Sequence, residues 1–379
     1  MPAKSQLEGQ AVVLSVLGRL PTLHCAAALA PQVRLITDVR RAVLRADEVP
    51  LSVVESVRPA VVGLTFASRY TPVPLRPHID AARAELFDAL AARRLAGCDL
   101  LDCWSSSSLE TMRRARRRGA HVVLNRGSTH ILHQLRVLSE EHARWGVRGY
   151  LPSSRTVERE LEEYELADII VVPSGQAAET FAPYRTGFKA VAVNVTGVDH
   201  ARFAKAGGEA GEPQPKFIFI GLDAIRKGLA DALDGWILAG KPGRFVVVSA
   251  APSWMLRRYR HHGIEFAGAA PSVHHLFAGA TALVFPSLEE GHARVLLEAL
   301  ASGVPVIATR ESGAEDLPPS PAVTIVPVRD PHAVAGAIAA IMVDANLPER
   351  RLTAQRIASA FTWERYVQEH VSLYENAAF

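Results

Sequence analysis

Short apolar runs, each followed by a turn and then a longer stretch with helical spacing, recur along the whole chain. In the first half, residues 11–17, 33–37, 60–65, 99–104, 121–124, 168–172 and 190–193 read as strands. Most positions in each run are apolar, without strict alternation, which suits strands covered on both faces of a parallel sheet. Between them, 77–95 and 109–118 carry helical spacing. Alternation of this kind predicts an α/β doubly wound fold. The pattern breaks at "AKAGGEAGEPQP" (204–215), whose Gly, Pro and small residues read as a linker. It then resumes with strands at 216–220, 245–249, 264–266, 282–285, 304–307 and 323–326. The expected organisation is therefore a domain over 1–205, a linker over 206–215 and a second domain over 216–359. An amphipathic helix within 360–379 is able to pack on either domain, including back on the first.

The bulk numbers agree with two folded domains. A chain of 379 residues exceeds the roughly 250–300 at which single cores stop growing. At 49% hydrophobic and 21% charged it has the composition of a globular protein, which excludes global disorder. A net charge of +3 is too small to point to nucleic acid, yet it is compatible with a locally basic cleft for an anionic ligand. The three cysteines (Cys25, Cys98, Cys103) are an odd set that favours reduced thiols in the cytoplasm. Cys98 and Cys103 lack a second Cys or His pair at zinc spacing, so a metal is not expected. Lys4 before the apolar run 11–17 is faintly like a signal peptide, but Glu8 precedes the run and Gly18-Arg19 ends it at strand length. A cytoplasmic protein with "AVVLSVL" as its first buried strand is the expectation.

In open parallel sheets, ligands bind beyond the carboxyl ends of the strands. The loops to search are 18–19, 105–108, 125–130, 173–174, 221–228, 250–252 and 286–293. Two such half-sites facing each other would make a cleft between the domains, a common place for a small ligand. The strongest signal is "FPSLEEGHARVLLEALASGVPVIAT" (285–309). A strand ends at Phe285-Pro286, a loop carries Glu289-Glu290-Gly291, and a helix begins near His292–Arg294 and closes at Gly303. Amides around His292, Ala293 and Arg294 at a helix start form an anion site, and Gly291 permits close backbone approach. Glu298 follows Arg294 by about one turn, roughly 6 Å along the axis. A phosphate at the helix start would thus have a carboxylate on each side. Those carboxylates suit hydroxyls, which a nucleotide sugar carries at both ends. Paired carboxylates also define most glycosidases, but the helix start and a basic partner loop fit a diphosphate better. That partner loop is "KFIFIGLDAIRKGLADAL" (216–233), where Arg226-Lys227-Gly228 opens a helix. Two cations oppose the macrodipole there, as a bound anion would permit.

"EGHARVLLEALASGVPVIAT" resembles the E-x7-E signature of the GT-B glycosyltransferases of the large retaining family 4, with Glu290 and Glu298 as its glutamates. The fold implied is GT-B: two facing Rossmann-like domains with the donor site in the inter-domain cleft. The resemblance implies that Glu290 contacts donor-sugar hydroxyls, Glu298 the ribose, and the backbone of Ala293, Arg294 and Val295 the diphosphate. Lys227 falls on the lysine that holds the leaving diphosphate, after Gly221. Many members carry an Arg directly after that glycine; here it is Leu222, and Arg226 is the candidate for the missing charge. "GSTHI" puts His130 where the family often has a histidine near the donor sugar. Gly18-Arg19 matches a loop that approaches diphosphate and acceptor, and Gly268 lies in the segment set against the nucleobase. The implied reaction is retaining, metal-independent transfer from a nucleoside-diphosphate sugar, a co-substrate rather than a cofactor. The acceptor would be a glycan or a lipid-linked glycan in polysaccharide or glycolipid assembly. A sugar-nucleotide epimerase of the same architecture and a catalytically silent sugar-nucleotide binder remain alternatives. The arginine run Arg113, Arg114, Arg116, Arg117, Arg118 reads as a solvated helix face, or as one that docks peripherally on anionic lipid at the inner membrane face.

Overall fold

The computed structural model of the chain describes residues 9–73, 75–184, 188–204, 214–260, 262–269 and 273–378. Lys4, Glu8 and most of the expected linker (205–213) lie outside the described residues. The strands of the first sheet are β1 (Val12–Val16), β2 (Val33–Thr37), β3 (Val54–Ser56), β4 (Leu100–Trp104), β5 (His121–Asn125), β6 (Ile169–Val172) and β7 (Ala190–Val193). Those of the second are β8 (Lys216–Ile220), β9 (Arg244–Val248), β10 (Glu265–Phe266), β11 (Ala282–Phe285), β12 (Val306–Thr309) and β13 (Val323–Val326). The first half carries helices α1 (Thr22–Leu29), α2 (Arg41–Ala46), α3 (Arg58–Tyr70), α4 (Arg76–Arg94), α5 (Leu109–Arg116), α6 (Ile131–Arg144), α7 (Ser154–Leu166), α8 (Gly175–Glu179) and α9 (His200–Ala204). The rest carries α10 (Leu229–Leu238), α11 (Ser253–Tyr259), α12 (Arg294–Ala301), α13 (Pro331–Met342), α14 (Leu347–Ser359) and α15 (Trp363–Ala378).

Both sheets are parallel throughout, in the orders β3-β2-β1-β4-β5-β6-β7 and β10-β9-β8-β11-β12-β13. Crossover helices flank such sheets, so the central strands bury every position: β1, β6, β11 and β12 are buried end to end. Each fully covered Val, Leu, Ile or Phe contributes roughly 1.5–3 kcal/mol, which makes these strands the stabilising centre of each unit. One expected strand is a helix. Residues 60–65 lie in α3, and the edge strand β3 comes just before it. A short continuous apolar run does not distinguish a strand from a helix, and here Pro59 in the first turn favours the helix.

The chain divides into two compact units, Met1–Val172 with Ala178–Asn194 and Glu364–Phe379, and Pro173–Ala177 with Val195–Trp363. What ties the last helix into the first unit is a buried carboxylate. Asp102, on β4, accepts from Tyr374 at 2.6 Å and Asn125 at 2.6 Å, and His370 Nε2 lies 2.6 Å away. Asn194 Nδ2 adds a bond of 3.1 Å to the Tyr366 carbonyl. A fully buried charge without such partners would be strongly destabilising, so α15 is held by the need to satisfy Asp102. The three cysteines are free and buried, and burial raises all three thiols, Cys98 to about 12.

Each sheet has one point where the strand order reverses, β1/β4 in the first and β8/β11 in the second. Loops leaving the carboxyl ends there diverge and leave a crevice. In the second unit they are 221–228, after β8, and 286–293, after β11.

Candidate functional site

The loop after β8 is shaped by two glycines. A Cβ on Gly221 would lie 2.9 Å from Lys227 Cγ, so the lysine stem packs onto bare backbone. Gly228 has φ +70°, and a Cβ there would come within 2.0 Å of the Pro286 carbonyl oxygen. Only glycine satisfies both conditions, and through it the two loops dock. Leu288 N donates to the Arg226 carbonyl at 2.9 Å, and Ser287 Oγ donates to the same oxygen at 3.2 Å. Arg226 and Lys227 therefore precede the start of α10, on the side of the crevice.

Their charges meet the glutamates of the other loop. Lys227 Nζ is ion-paired with Glu290 Oε1, which also accepts from Ser287 Oγ at 3.1 Å. Arg226 Nε sits 2.8 Å from Glu289 Oε2, and Arg226 NH2 is 3.7 Å from Glu290 Oε2. Glu289 is fully buried, and Arg226 Nε also bonds its carbonyl at 3.0 Å. Burial lowers the Lys227 pKa and neighbouring Arg226 lowers it further, while Glu290 works in the opposite direction. Two cations and two carboxylates thus form one compact network at the switch point.

The start of α12 lies beside it. Ala293, its first flanking residue, has no side chain able to cap, so the leading amides of the helix are not satisfied from that position. The expected set of open amides is smaller by one, because Ala293 N donates to the Ser312 carbonyl at 2.9 Å. Glu298 is half-buried one turn on; burial raises its pKa, offset in part by Arg294 and Arg202. His292 is buried with its ring against Gly313, where a Cβ would stand 2.8 Å from the ring Cδ2. Neither ring nitrogen has a hydrogen-bond partner among the described residues, and burial lowers the pKa to about 4.

Residues 214–344, which contain this whole arrangement, match the family model of the glycosyl transferases group 1. The protein is a glycosyltransferase. Its fold is shared with GT-B enzymes along nearly the full chain. HepE from Anabaena, solved with UDP and glucose, is 14% identical with a TM-score of 0.69, covering 97% of this chain and 99% of that one. The sucrose-phosphate synthase of Thermosynechococcus elongatus is 18% identical, TM-score 0.69, covering 97% and 98%. A glycosyltransferase from Rickettsia africae is 12% identical, TM-score 0.66, covering 97% and 99%. No curated protein sequence matches the chain.

Within the glycosyltransferase, the structure brings Gly221, Arg226, Lys227, Glu290, Gly291, His292, Ala293, Arg294, Val295 and Glu298 together on two loops and one helix start. Gly268 is exposed with φ +71° in the same unit, in the turn after β10. The residue that sequence reasoning passed over is Glu289. Its signal was available in the adjacent carboxylates of "SLEEG", one of which has to meet Arg226 if both are buried. Leu222 is 66% exposed and takes no part.

The first unit holds the remaining candidates. Gly18 has φ +90° and donates to Asp38 at 2.7 Å, and exposed Arg19 pairs with Asp47 at 2.9 Å. Both leave β1 beside the first sheet's switch point. His130 has structural tasks. It caps α6, with Nδ1 accepting from Leu132 N at 3.3 Å, and it stacks on Tyr184 at 4.3 Å. Burial, with Arg126 and His133 adding to it, lowers its pKa to about 4, so the ring is neutral near pH 7. The arginine run is largely taken up by ion pairs and carbonyls: Arg113 with Glu110 and Glu162, Arg116 with Asp168, Arg118 with the Leu95 carbonyl. Among the described residues no helix is long and apolar enough to cross a membrane, and no three His, Cys, Asp or Glu side chains converge as metal ligands.

Proposed function

We propose that the protein transfers a sugar from a nucleoside-diphosphate sugar to an acceptor hydroxyl, retaining the anomeric configuration and without a metal ion. The observation that carries this reading is the pairing, at one switch point, of the Arg226-Lys227 loop with the start of α12. A diphosphate needs cations and aligned amide donors, and both are there. Anabaena HepE, of the same fold, was solved with UDP-glucose, which supports a donor of this class.

A diphosphate arriving at α12 competes with Glu290 for Lys227. The released Glu290 carboxylate then accepts hydroxyls of the donor sugar, and Glu298 accepts those of the ribose. Gly268 borders the base. As the C1–O bond to the diphosphate breaks, negative charge grows on the leaving oxygen. Lys227, Arg226 and the α12 amides stabilise that charge in place, the role a divalent ion fills elsewhere. The acceptor oxygen bonds C1 from the face the diphosphate leaves, and its proton passes to the departing phosphate. Gly18 and Arg19 are proposed for the acceptor and diphosphate, and a glycan or lipid-linked glycan on the cytoplasmic side as the acceptor.

Arg226 is held by Glu289, and this favours one rival, a site that binds sugar nucleotides without turning them over. A thermal-shift panel of UDP-, GDP- and ADP-sugars tests donor binding, since a ligand at 100 times its dissociation constant stabilises by about 2.7 kcal/mol. Release of nucleoside diphosphate only with acceptor present then separates transfer from epimerisation. A shift without turnover across acceptors assigns the silent binder, and no shift with any donor overturns the proposal.

A further inference from the structure

Two residues beyond β4, at the first sheet's switch point, Ser106 holds φ +70°, a backbone conformation that serine rarely adopts. Buried carboxylates fix it there: Glu163 accepts from Ser106 N at 2.6 Å, and Glu160 accepts from Ser106 Oγ. Strain held in place at the carboxyl end of a switch-point strand is a feature of ligand sites. Ser106 lines a pocket of about 370 Å³ between the first halves of α4 and α7, with Tyr150 also in its wall. That is the small end of the range for small-molecule sites, room for one ring rather than a nucleotide. Its charges balance, since α4 contributes Asp80 and Glu85 and α7 contributes Arg155 and Arg159. Arg155 is ion-paired with Glu85, and Arg159 with Asp88. Asp80 differs: its partners among the described residues are two hydroxyls, Ser68 Oγ and, at 3.3 Å, Tyr150 Oη. Burial and the Asp80 charge push the Tyr150 phenol up to about 12, so it stays a donor. On the other wall, the buried Nε of Arg159 makes no hydrogen bond among the described residues. A carboxylate without a cation thus shares the pocket with a guanidinium that has a donor to spare.

We propose that this pocket binds one uncharged sugar ring of a glycan, separately from the donor site. Hydroxyls both donate and accept, which suits walls that offer a carboxylate on one side and a guanidinium on the other. A balanced lining has no net attraction for a phosphate or an amine. The Tyr150 ring, with Ala81 and Ala84, supplies apolar surface for the C–H face of a pyranose. The lining includes neither Gly18 nor Arg19 nor any residue of the second unit, so the pocket is a hold on a glycan apart from the reacting hydroxyl. Only the source of the ring rests on the proposed sugar transfer; the binding itself does not.

The test is saturation-transfer NMR of the full chain with the methyl glycosides of glucose, galactose, mannose and N-acetylglucosamine, and with methyl phosphate and ethylamine as charged probes. The expected result is transfer to at least one glycoside, with a dissociation constant on the order of 1 mM. Asp80→Asn and Tyr150→Ala should each weaken binding about fivefold or more, the loss of one good hydrogen bond or of the apolar wall. Neither side chain is fully buried, so the thermal midpoint should hold in both variants. Glu290→Gln, in the second unit, should bind glycosides as the parent does. The proposal is overturned by no transfer to any glycoside, by a response to a charged probe alone, or by Asp80→Asn and Tyr150→Ala variants that both bind like the parent. Loss of binding in Glu290→Gln also overturns it, by assigning the ring to the donor site. A thermal shift with a sugar nucleotide but no glycoside signal removes this pocket and leaves the donor site standing; a glycoside signal without any such shift does the reverse.

Discussion

Replacing His292 by Phe should remove a pH-dependent weakness from the second unit. The imidazole is buried, no described residue bonds either nitrogen, and its pKa falls from 6.5 to about 4 because burial penalises the cation. Above pH 6.5 the ring is neutral in both folded and unfolded chains, so the site loses nothing. As pH falls from 6.5 toward 4 the unfolded chain takes up a proton that the folded one refuses, and stability is lost across that window. Between pH 7.5 and 5.0 the two pKa values give a loss of about 2 kcal/mol from this residue alone. Phe fills similar space and has no nitrogen to leave unsatisfied, so the variant should be at least as stable as the parent at pH 7.5. Urea titrations of both proteins at the two pH values, following the transition that contains buried Trp236, read the difference directly. Carboxylates and His130 titrate alike in both proteins and cancel. If the two lose stability in parallel from pH 7.5 to 5.0, the histidine is not buried neutral as described. If the variant is weaker by more than about 2 kcal/mol at pH 7.5, the ring nitrogens have a partner.

Lys227→Met should cut turnover by roughly 10²–10³ if the lysine meets charge on the leaving diphosphate. The fold should persist, because Ser287 and Arg226 still face Glu290; kcat within a few-fold of the parent would remove the lysine from the mechanism. Glu298→Gln keeps the shape of the side chain but weakens its acceptor strength, so the donor KM should rise about tenfold with kcat nearly held. An unchanged KM in initial-rate measurements would mean that the ribose lies elsewhere. Gly228→Ala places a methyl against the Pro286 carbonyl at a left-handed φ, which should cost roughly 2–4 kcal/mol in thermal unfolding. A variant with the parent's midpoint would show that the two loops are not locked together there.

Periodicity and local chemistry were enough for the two parallel α/β sheets and for the helix start after "FPSLEEG", because continuous apolar runs, glycines and a glutamate one turn into a helix are local features. The same local reading took 60–65 for a strand, since an apolar run looks alike whether it crosses a sheet or forms a helix exposed to solvent. Spacing placed Lys227 and Glu290 on separate loops; only the strand order, with β8 beside β11, makes those loops neighbours. The partner of Arg226 was likewise decided by folding. Glu289 and Glu290 are adjacent in the chain, and the docking of Gly228 on Pro286 determines which carboxylate meets which cation. Folding likewise gives His130 its stacking on Tyr184 and Arg116 its pairing with Asp168, partners that lie far along the chain. Residue types and their local spacing determined what chemistry the chain holds. Strand order and burial decided which of those groups meet, since electrostatic and hydrogen-bonding partners are set by distance in space and by access to water.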